Sequence, residues 1–335
     1  MKFLRKLLFP FAILYNIVTF VRNFLYDNNI LKSYEFDIPI ICVGNLNVGG
    51  TGKTPQIEYL IRLLLDNYKV ATLSRGYKRS TSGFILADND ATAKTIGDEP
   101  FQFFNKFKNI QVTVDADRKN GIENLLNQEI KPEIILLDDA FQHRRVKAGF
   151  YVLLTKYNDL FSDDYLLPTG NLRESRNGAY RANAIIVTKC PENLAESEQN
   201  KIKQKLKSNC HVFFSTIVYD DFVYAENEKI PISEVKIKTK LIVAGIANPD
   251  LFFDFIKNKN DETITFADHH NFTESDVVII KEKANENLII TTEKDYVRLK
   301  DFGIKNLYYL PIKSKIINNS DQFDDLILKF IANNY

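Results

Sequence analysis

Asn47-Val48-Gly49-Gly50-Thr51-Gly52-Lys53-Thr54-Pro55 decides the fold of this chain. It follows the apolar run Ile38-Pro39-Ile40-Ile41-Cys42-Val43. It precedes residues 54–68, where Ile57, Leu60, Ile61 and Leu64 form one helical stripe. Pro55 falls in the first helical turn, where its missing N–H is tolerated. Strand, glycine-rich loop and helix in this order make a phosphate cradle. Backbone N–H groups point at phosphate oxygens, glycine permits the required backbone, and the helix N-terminus adds a favourable dipole. Gly49, Gly50, Thr51 and Gly52 supply the cradle, Lys53 reaches the β- and γ-phosphates, and Thr54 holds Mg²⁺. The usual first residue is Gly, and here it is Asn47. Asn also tolerates left-handed backbone, and Gly49-Gly50 restore flexibility. With glycine at roughly 7% of residues, such a run arises by chance about once in a thousand chains of this length.

Working outward, short apolar runs at 38–43, 69–73, 110–114, 133–138, 150–155 and 184–188 alternate with helical patterns. This predicts an α/β fold: a P-loop NTPase-type, mostly parallel sheet covered by helices. The run Ile134-Ile135-Leu136-Leu137 ends in Asp138-Asp139, which places carboxylates beside the phosphate loop for a metal or its water. Thr188-Lys189-Cys190-Pro191 stands where a guanine-reading Asn-Lys-x-Asp would fall. Pro191 occupies the place of the discriminating Asp, so ATP is the expected nucleotide.

Beyond this unit, residues 211–230 read as two extended runs around Asp220-Asp221, a β-ribbon linker. A smaller α/β unit follows, with strands near 240–245, 288–291 and 307–311 and an amphipathic helix over 320–332. The expected organisation is an N-terminal helical segment (1–30), a P-loop domain (31–212), a two-stranded linker (213–236) and a C-terminal α/β domain (237–335).

The whole chain has 335 residues, 44 basic and 43 acidic, so no global pull toward nucleic acid is indicated. Its cysteines, Cys42, Cys190 and Cys210, form no Cys-x-x-Cys, which argues against a zinc ribbon or disulfide scaffold and for a reducing compartment. The N-terminus is amphipathic. Arg5, Ala12, Asn16, Thr19 and Asn23 share one helical face, while Phe11, Leu14, Val18, Val21 and Leu25 share the opposite one. With Lys2, Arg5 and Lys6 at its start, this helix suits an anionic membrane interface. A signal peptide would need a small-residue cleavage site, which does not follow. A helix packed on the protein's own core is the other alternative.

A phosphoryl transferase needs a base for its acceptor and cations for the moving charge. Gly97-Asp98-Glu99-Pro100 offers two acids at a loop-to-helix junction, where acids are favoured on structural grounds as well. Basic residues gather in loops at strand ends: Arg75, Lys78 and Arg79; Arg118; Arg144 and Arg145; Arg173 and Arg176. They could grip ATP, an anionic acceptor, or only solvent. Asp268-His269-His270 places histidine beside a carboxylate, a proton-relay arrangement.

Taken in order, Gly44-Asn45, the phosphate loop, Leu73-Ser74-Arg75-Gly76-Tyr77, Gly97-Asp98-Glu99-Pro100, Leu137-Asp138-Asp139-Ala140-Phe141-Gln142-His143, Leu172-Arg173-Glu174, Asp268-His269 and Thr291-Thr292-Glu293-Lys294-Asp295 form a specific series. On these residues the chain resembles the tetraacyldisaccharide 4′-kinases, the lipid A 4′-kinases of Gram-negative bacteria, over nearly its whole length. The resemblance implies a P-loop kinase domain, a two-stranded linker and a smaller α/β domain, with the active site in the cleft between the domains. It implies Asp98 as catalytic base with His269 as partner, and Lys53, Arg118 and Arg173 on phosphate charge. Thr54, Asp138 and Glu174 become candidates for Mg²⁺, with a share for Glu99 or Asp139 left open. Tyr77 and His143 would line the site. Ala140 replaces the Gly common in the family, and motif position favours His269 over His270. The implied acceptor is an acylated glucosamine disaccharide 1-phosphate. The implied setting is the cytoplasmic face of a bacterial inner membrane, with the enzyme a peripheral monomer using ATP and Mg²⁺. The competing readings are a membrane-bound ATPase switch, which would release phosphate without an acceptor, and a soluble metabolite kinase.

Overall fold

The structure, a computed structural model, describes residues 5, 7–226, 228–268 and 270–334. Its larger sheet has nine strands: β1 (Ile40–Asn45), β2 (Val70–Ser74), β3 (Ile85–Leu86), β4 (Gln111–Val114), β5 (Ile134–Asp138), β6 (Phe150–Lys156), β7 (Ala184–Thr188), β8 (His211–Tyr219) and β15 (Ile312–Ile316). They lie in the order β15-β8-β7-β6-β1-β5-β2-β4-β3. From β4 to β8 every pairing is parallel, and the edge strands β3 and β15 run antiparallel to their neighbours. The near-continuous apolar runs of β1, β5 and β7 follow from this, because a parallel sheet is covered on both faces and alternate residues must enter opposite cores.

Those cores are distinct. Cys42, Ile135, Leu137, Leu153 and Ile185 pack on one side with Ile122 and Leu125 of helix 118–126 and with Ile202 and Leu206 of helix 196–206. Ile41, Val43, Leu136, Val152 and Ile186 pack on the other with the Ile57, Leu60, Ile61 and Leu64 stripe. That stripe belongs to the helix after the phosphate loop, Lys53–Leu64.

The smaller sheet has the order β10-β9-β14-β13-β11-β12, from β9 (Phe222–Tyr224), β10 (Lys229–Pro231), β11 (Lys240–Ala244), β12 (Glu262–Thr265), β13 (Leu288–Thr292) and β14 (Leu307–Leu310). Its parallel centre carries two further core clusters, around Ile242 and Ile290 and around Leu241, Val243 and Ile289.

The connection between the sheets differs from the expected ribbon around Asp220-Asp221. β8 does not pair with β9; its partner is β15, with Ile217 opposite Ser314. The chain leaves the large sheet at Tyr219 and returns at Ile312, and the two passages are tied by the Asp220 N–H donating to Pro311 O at 3.0 Å. The last helix, Ser320–Ala332, also departs from expectation. Its Phe323, Ile327 and Ile331 are fully buried on the large sheet, not in the smaller unit. Each such side chain contributes roughly 1.5–3 kcal/mol by burial, which fixes where the helix docks. Local amphipathicity foretold the helix but carried nothing about which sheet would receive it.

The N-terminal helix, α1 (Phe9–Asp27), turns its polar face inward. Arg5, just before it, donates to Pro168 O (3.0 Å), the Tyr15 hydroxyl to Arg173 O (2.8 Å), Arg22 to Gln142 O (2.6 Å) and the Asn23 amide to Glu174 Oε2 (2.9 Å). Phe9, Phe11, Leu14, Ile17, Val18, Phe20 and Phe24 project outward, all more than half exposed. The alternative of an apolar face packed on the core is therefore excluded, since the apolar face is the one left open. By length and a mean hydropathy of 1.2, α1 could also cross a bilayer.

Candidate active site

The phosphate loop emerges from β1, whose strand end is flanked by β5 and β6. Gly49 and Gly52 have φ of 105° and 87°, values a side chain would strain, which is why the loop needs glycine there. Asn47 does not use the left-handed backbone that Asn tolerates. It is buried, and its amide donates to Asp164 Oδ2 at 2.9 Å. The loop is pinned to residues 164–173 on both sides of Asn47: the Val48 N–H donates to Asn171 O (2.8 Å) and the Arg173 N–H to Leu46 O (2.7 Å). The departure from the usual motif thus has a structural partner. Gly44, one residue before Asn45, has a different requirement: a Cβ there would lie 2.6 Å from Phe141 Cβ, so glycine lets the end of β1 approach the loop after Asp139.

Lys53 begins the following helix. Its Nζ lies 3.4 Å from Asn45 Oδ1 and 3.7 Å from Asp139 Oδ2. Arg173 reaches the same carboxylate with both guanidinium nitrogens, at 3.2 Å and 2.7 Å, and also donates to Asn45 O at 2.7 Å. Burial works against a charge on Asp139, but Lys53 and Arg173 outweigh it and hold the carboxyl below its usual range. Asp138 behaves oppositely. Its burial, with Asp139 alongside, pushes it up to about 6. Glu99 adds to the same push. Asp138 accepts from the Ser74 hydroxyl at 3.3 Å, and its buried Oδ1 has no hydrogen-bond partner. Asp138 and Asp139 are therefore divided, one paired with the cations and one waiting for a positive charge.

That orphaned oxygen, on an acidic strand end, is a donor whose chemistry fits Mg²⁺. Among the described residues no cluster of three or more His, Cys, Asp or Glu side chains is arranged to hold a metal. A Mg²⁺ site of this kind takes one or two protein oxygens and completes its shell with phosphate and water, so it needs no such cluster. Glu174 was expected to join them. Its carboxylate is instead buried under α1, accepting from Arg181 (2.7 Å), Gln142 (3.0 Å) and Asn23 (2.9 Å). With Arg181 as counter-ion and both oxygens occupied, it holds α1 against the strand-end loops.

The remaining expected residues fall in several places. Arg118 is buried and donates to three backbone carbonyls, those of Asp115, Ala116 and Asp138, so it buttresses the acidic strand end from behind. Burial and the nearby Arg118 push His143 down to about 4, so its imidazole is neutral at pH 7. Tyr77 is largely exposed. Of the loop cations, Arg144 pairs with Asp27 and Arg145 with Asp117 (both 2.7 Å), and Arg176 donates to Asp164 O. Asp98 begins helix 98–106 and is ion-paired with Arg298, reached from the smaller sheet. His269, its expected partner, lies outside the described residues. Asn45, Gln142, Arg181 and Arg298 carry contacts at the site but are not singled out as site residues by the sequence. Asn45 had a signal in the Gly44-Asn45 pair and Gln142 in the motif ending at His143, whereas Arg181 and Arg298 had none.

A phosphate loop with its lysine, a hydroxyl following it and an acidic strand end beside it define a P-loop phosphotransferase fold. The sequence profile of the tetraacyldisaccharide-1-P 4′-kinases matches residues 4–332. The chain is 60% identical to the tetraacyldisaccharide 4′-kinase of Flavobacterium johnsoniae over all of its own length and 99% of that protein. It is 43% identical to that of Bacteroides thetaiotaomicron, covering 99% and 94% of the two chains. A crystal structure of LpxK from Aquifex aeolicus in complex with ATP superposes with a TM-score of 0.81 at 30% identity, covering 98% of this chain and 99% of that one. The chain belongs to the tetraacyldisaccharide-1-P 4′-kinase family.

Proposed function

We propose that this protein transfers the γ-phosphate of ATP, with Mg²⁺, to the 4′-hydroxyl of a tetraacylated glucosamine disaccharide 1-phosphate, the acceptor step of lipid A assembly. One observation carries this beyond family membership. The helix with the outward apolar face is bonded to the segment between β6 and β7 that is itself pinned to the phosphate loop, through Tyr15 to Arg173 and Asn23 to Glu174. A lipid surface on that face is thereby brought next to the phosphate loop.

In the proposed reaction the acceptor oxygen attacks the γ-phosphorus, the bond to the bridging oxygen of ADP breaks, and the hydroxyl proton passes to Asp98, with His269 as its partner. Lys53 and Arg173 face the charge that spreads over the transferring group, after exchanging Asp139 for phosphate oxygens. Thr54 and Asp138 would hold Mg²⁺, which when bound would neutralise charge on the nucleotide phosphates. Gly49, Gly50, Thr51 and Gly52 orient the nucleotide. Tyr77, Glu99 and His143 line the acceptor side, and Arg118 keeps the acidic strand end in register. The hydroxyl is a weak nucleophile, so positioning and charge neutralisation supply most of the rate.

The polar bonds of α1 to the protein favour a helix that lies along the cytoplasmic face of the inner membrane over one that leaves the protein to span it. The proposed enzyme is peripheral and works as a monomer. Its kinase domain runs over 31–212 and is completed by residues 312–332, with the smaller domain inserted between them. The test is transfer of label from γ-labelled ATP to detergent-dispersed tetraacyl disaccharide 1-phosphate. Label in the lipid that vanishes with Lys53→Ala supports the reading. Label found only as free phosphate would favour an ATPase switch.

A further inference from the structure

Thr291-Thr292-Glu293-Lys294-Asp295 belongs to the family series, yet the proposed chemistry uses none of it. In the structure each residue fastens the short helix Glu293–Leu299. The Thr291 hydroxyl donates to Val243 O (2.8 Å), and Thr292 caps the helix by accepting from the Asp295 N–H. Glu293 pairs with Lys106 (2.9 Å), and buried Asp295 accepts from the Gly245 N–H (2.8 Å). Val297 enters a cluster with Ile96, Phe101 and Val114 of the large-sheet unit. A helix held at so many points is a rigid mount, and one turn beyond Asp295 it presents Arg298.

Arg298 reaches two places at once. Toward the large sheet its guanidinium grips Asp98, through Nη2 to Oδ2 and through Nε at 3.5 Å from Oδ1. Toward the smaller sheet its Nη1 donates to His270 O at 3.2 Å. Lys294, on the same helix, pairs with Asp268 at 3.3 Å. Asp268 and His270 are thus each held from the same helix that holds Asp98. A planar guanidinium bonded to both carboxylate oxygens fixes the plane of the carboxylate as well as its position, which a single ammonium cannot do.

We propose that Arg298 is the positioning residue for the proton-accepting carboxylate. It sets the orientation of Asp98 and ties the His270 backbone to it across the two sheets. This rests on the assignment of Asp98 as the base. Positioning errors near an ångström cost up to about a hundredfold in rate, so the expected effect falls on turnover and not on nucleotide binding.

The experiment compares wild type, Arg298→Ala, Arg298→Lys, Asp98→Asn and the double variant Asp98→Asn/Arg298→Ala in the full chain, reading kcat, KM for ATP and the thermal midpoint. Arg298→Ala is expected to lower kcat about 10- to 100-fold with KM for ATP within about twofold. Arg298→Lys should recover part of the loss, since it restores one contact of the fork. In the double variant, Arg298→Ala should add nothing to the loss already caused by Asp98→Asn. A kcat within about twofold of wild type for Arg298→Ala would overturn the proposal, as would additive losses in the double variant, which mark a purely structural role. Normal turnover in Asp98→Asn removes the base assignment itself. A large loss in Asp98→Asn with none in Arg298→Ala leaves that assignment standing and removes only the positioning role.

Discussion

Restoring the usual glycine at the first position of the phosphate loop should harm this protein. Asn47→Gly removes a buried donor from Asp164 Oδ2, a 2.9 Å bond to a carboxylate. A hydrogen bond to a charged group is worth about 1.5–3 kcal/mol. Asp164 keeps the Asn171 N–H at 3.2 Å, which argues for the lower end of that range. Glycine adds about 0.5–1 kcal/mol through the entropy of the unfolded chain. The sum is roughly 2–3 kcal/mol, which at about 2–4 °C per kcal/mol lowers the thermal midpoint by roughly 4–12 °C. Differential scanning calorimetry on wild type, Asn47→Gly and Asn47→Ala measures it, with Asn47→Ala separating the side-chain bond from the backbone effect. A midpoint for Asn47→Gly within a degree of wild type would refute the assignment of Asn47 as the anchor of the loop.

Further outcomes follow from the same geometry. Asp98→Asn should lower turnover about a hundredfold or more while leaving ATP binding intact, read by steady-state transfer to the lipid. Lys53→Ala should nearly abolish transfer, and Asp139→Asn should lower it less, since Asp139 only stores the cations in place. Paired changes on the outer face of α1, Leu14→Asp with Val18→Asp, should sharply reduce sedimentation with anionic vesicles and leave the far-ultraviolet spectrum unchanged; undiminished sedimentation would separate α1 from membrane docking. Glu293 is pushed up to about 7 by its burial and by Glu58 beside it, against the pull of Lys106. A carboxyl raised in the folded state binds its proton more tightly there than in the unfolded chain. Its contribution to stability is therefore full below the ordinary glutamate range and is lost as pH rises through about 7. Denaturation midpoints should fall across that window in wild type and stay flatter in Glu293→Gln.

The parallel core was legible because a strand buried on both faces has to be apolar throughout. β1, β5 and β7 announced themselves within two residues of where they lie. The phosphate loop was legible because its chemistry is local: glycines, a lysine and a hydroxyl in one contiguous run. What escaped depended on partners far away in sequence. β8 carries no mark that its neighbour is β15 and not β9, since any extended edge offers the same backbone donors and acceptors. The stripe Phe323, Ile327 and Ile331 predicts a helix and a buried face but is silent on which sheet is beneath it. Glu174 reads as one more acid in a loop near phosphate, and only the fold shows Arg181 and Asn23 already claiming it. The wheel of α1 separated its faces correctly, but an amphipathic pattern by itself does not say that the polar face is the one that meets protein.

The return of the chain through β15 and helix 320–332 has a consequence for synthesis. The nucleotide-binding sheet is begun by the first strands to leave the ribosome and finished by the last. Until residues 312–332 emerge, the outer edge of β8 is unpaired, and the apolar surface around Phe213 and Ile57 lacks the cover of Phe323, Ile327 and Ile331. An entire second sheet must be made in the interval. Premature termination anywhere beyond β8 therefore leaves a chain that contains every residue of its phosphate loop and yet exposes a sticky edge and an open core, a product suited to degradation and not to partial activity.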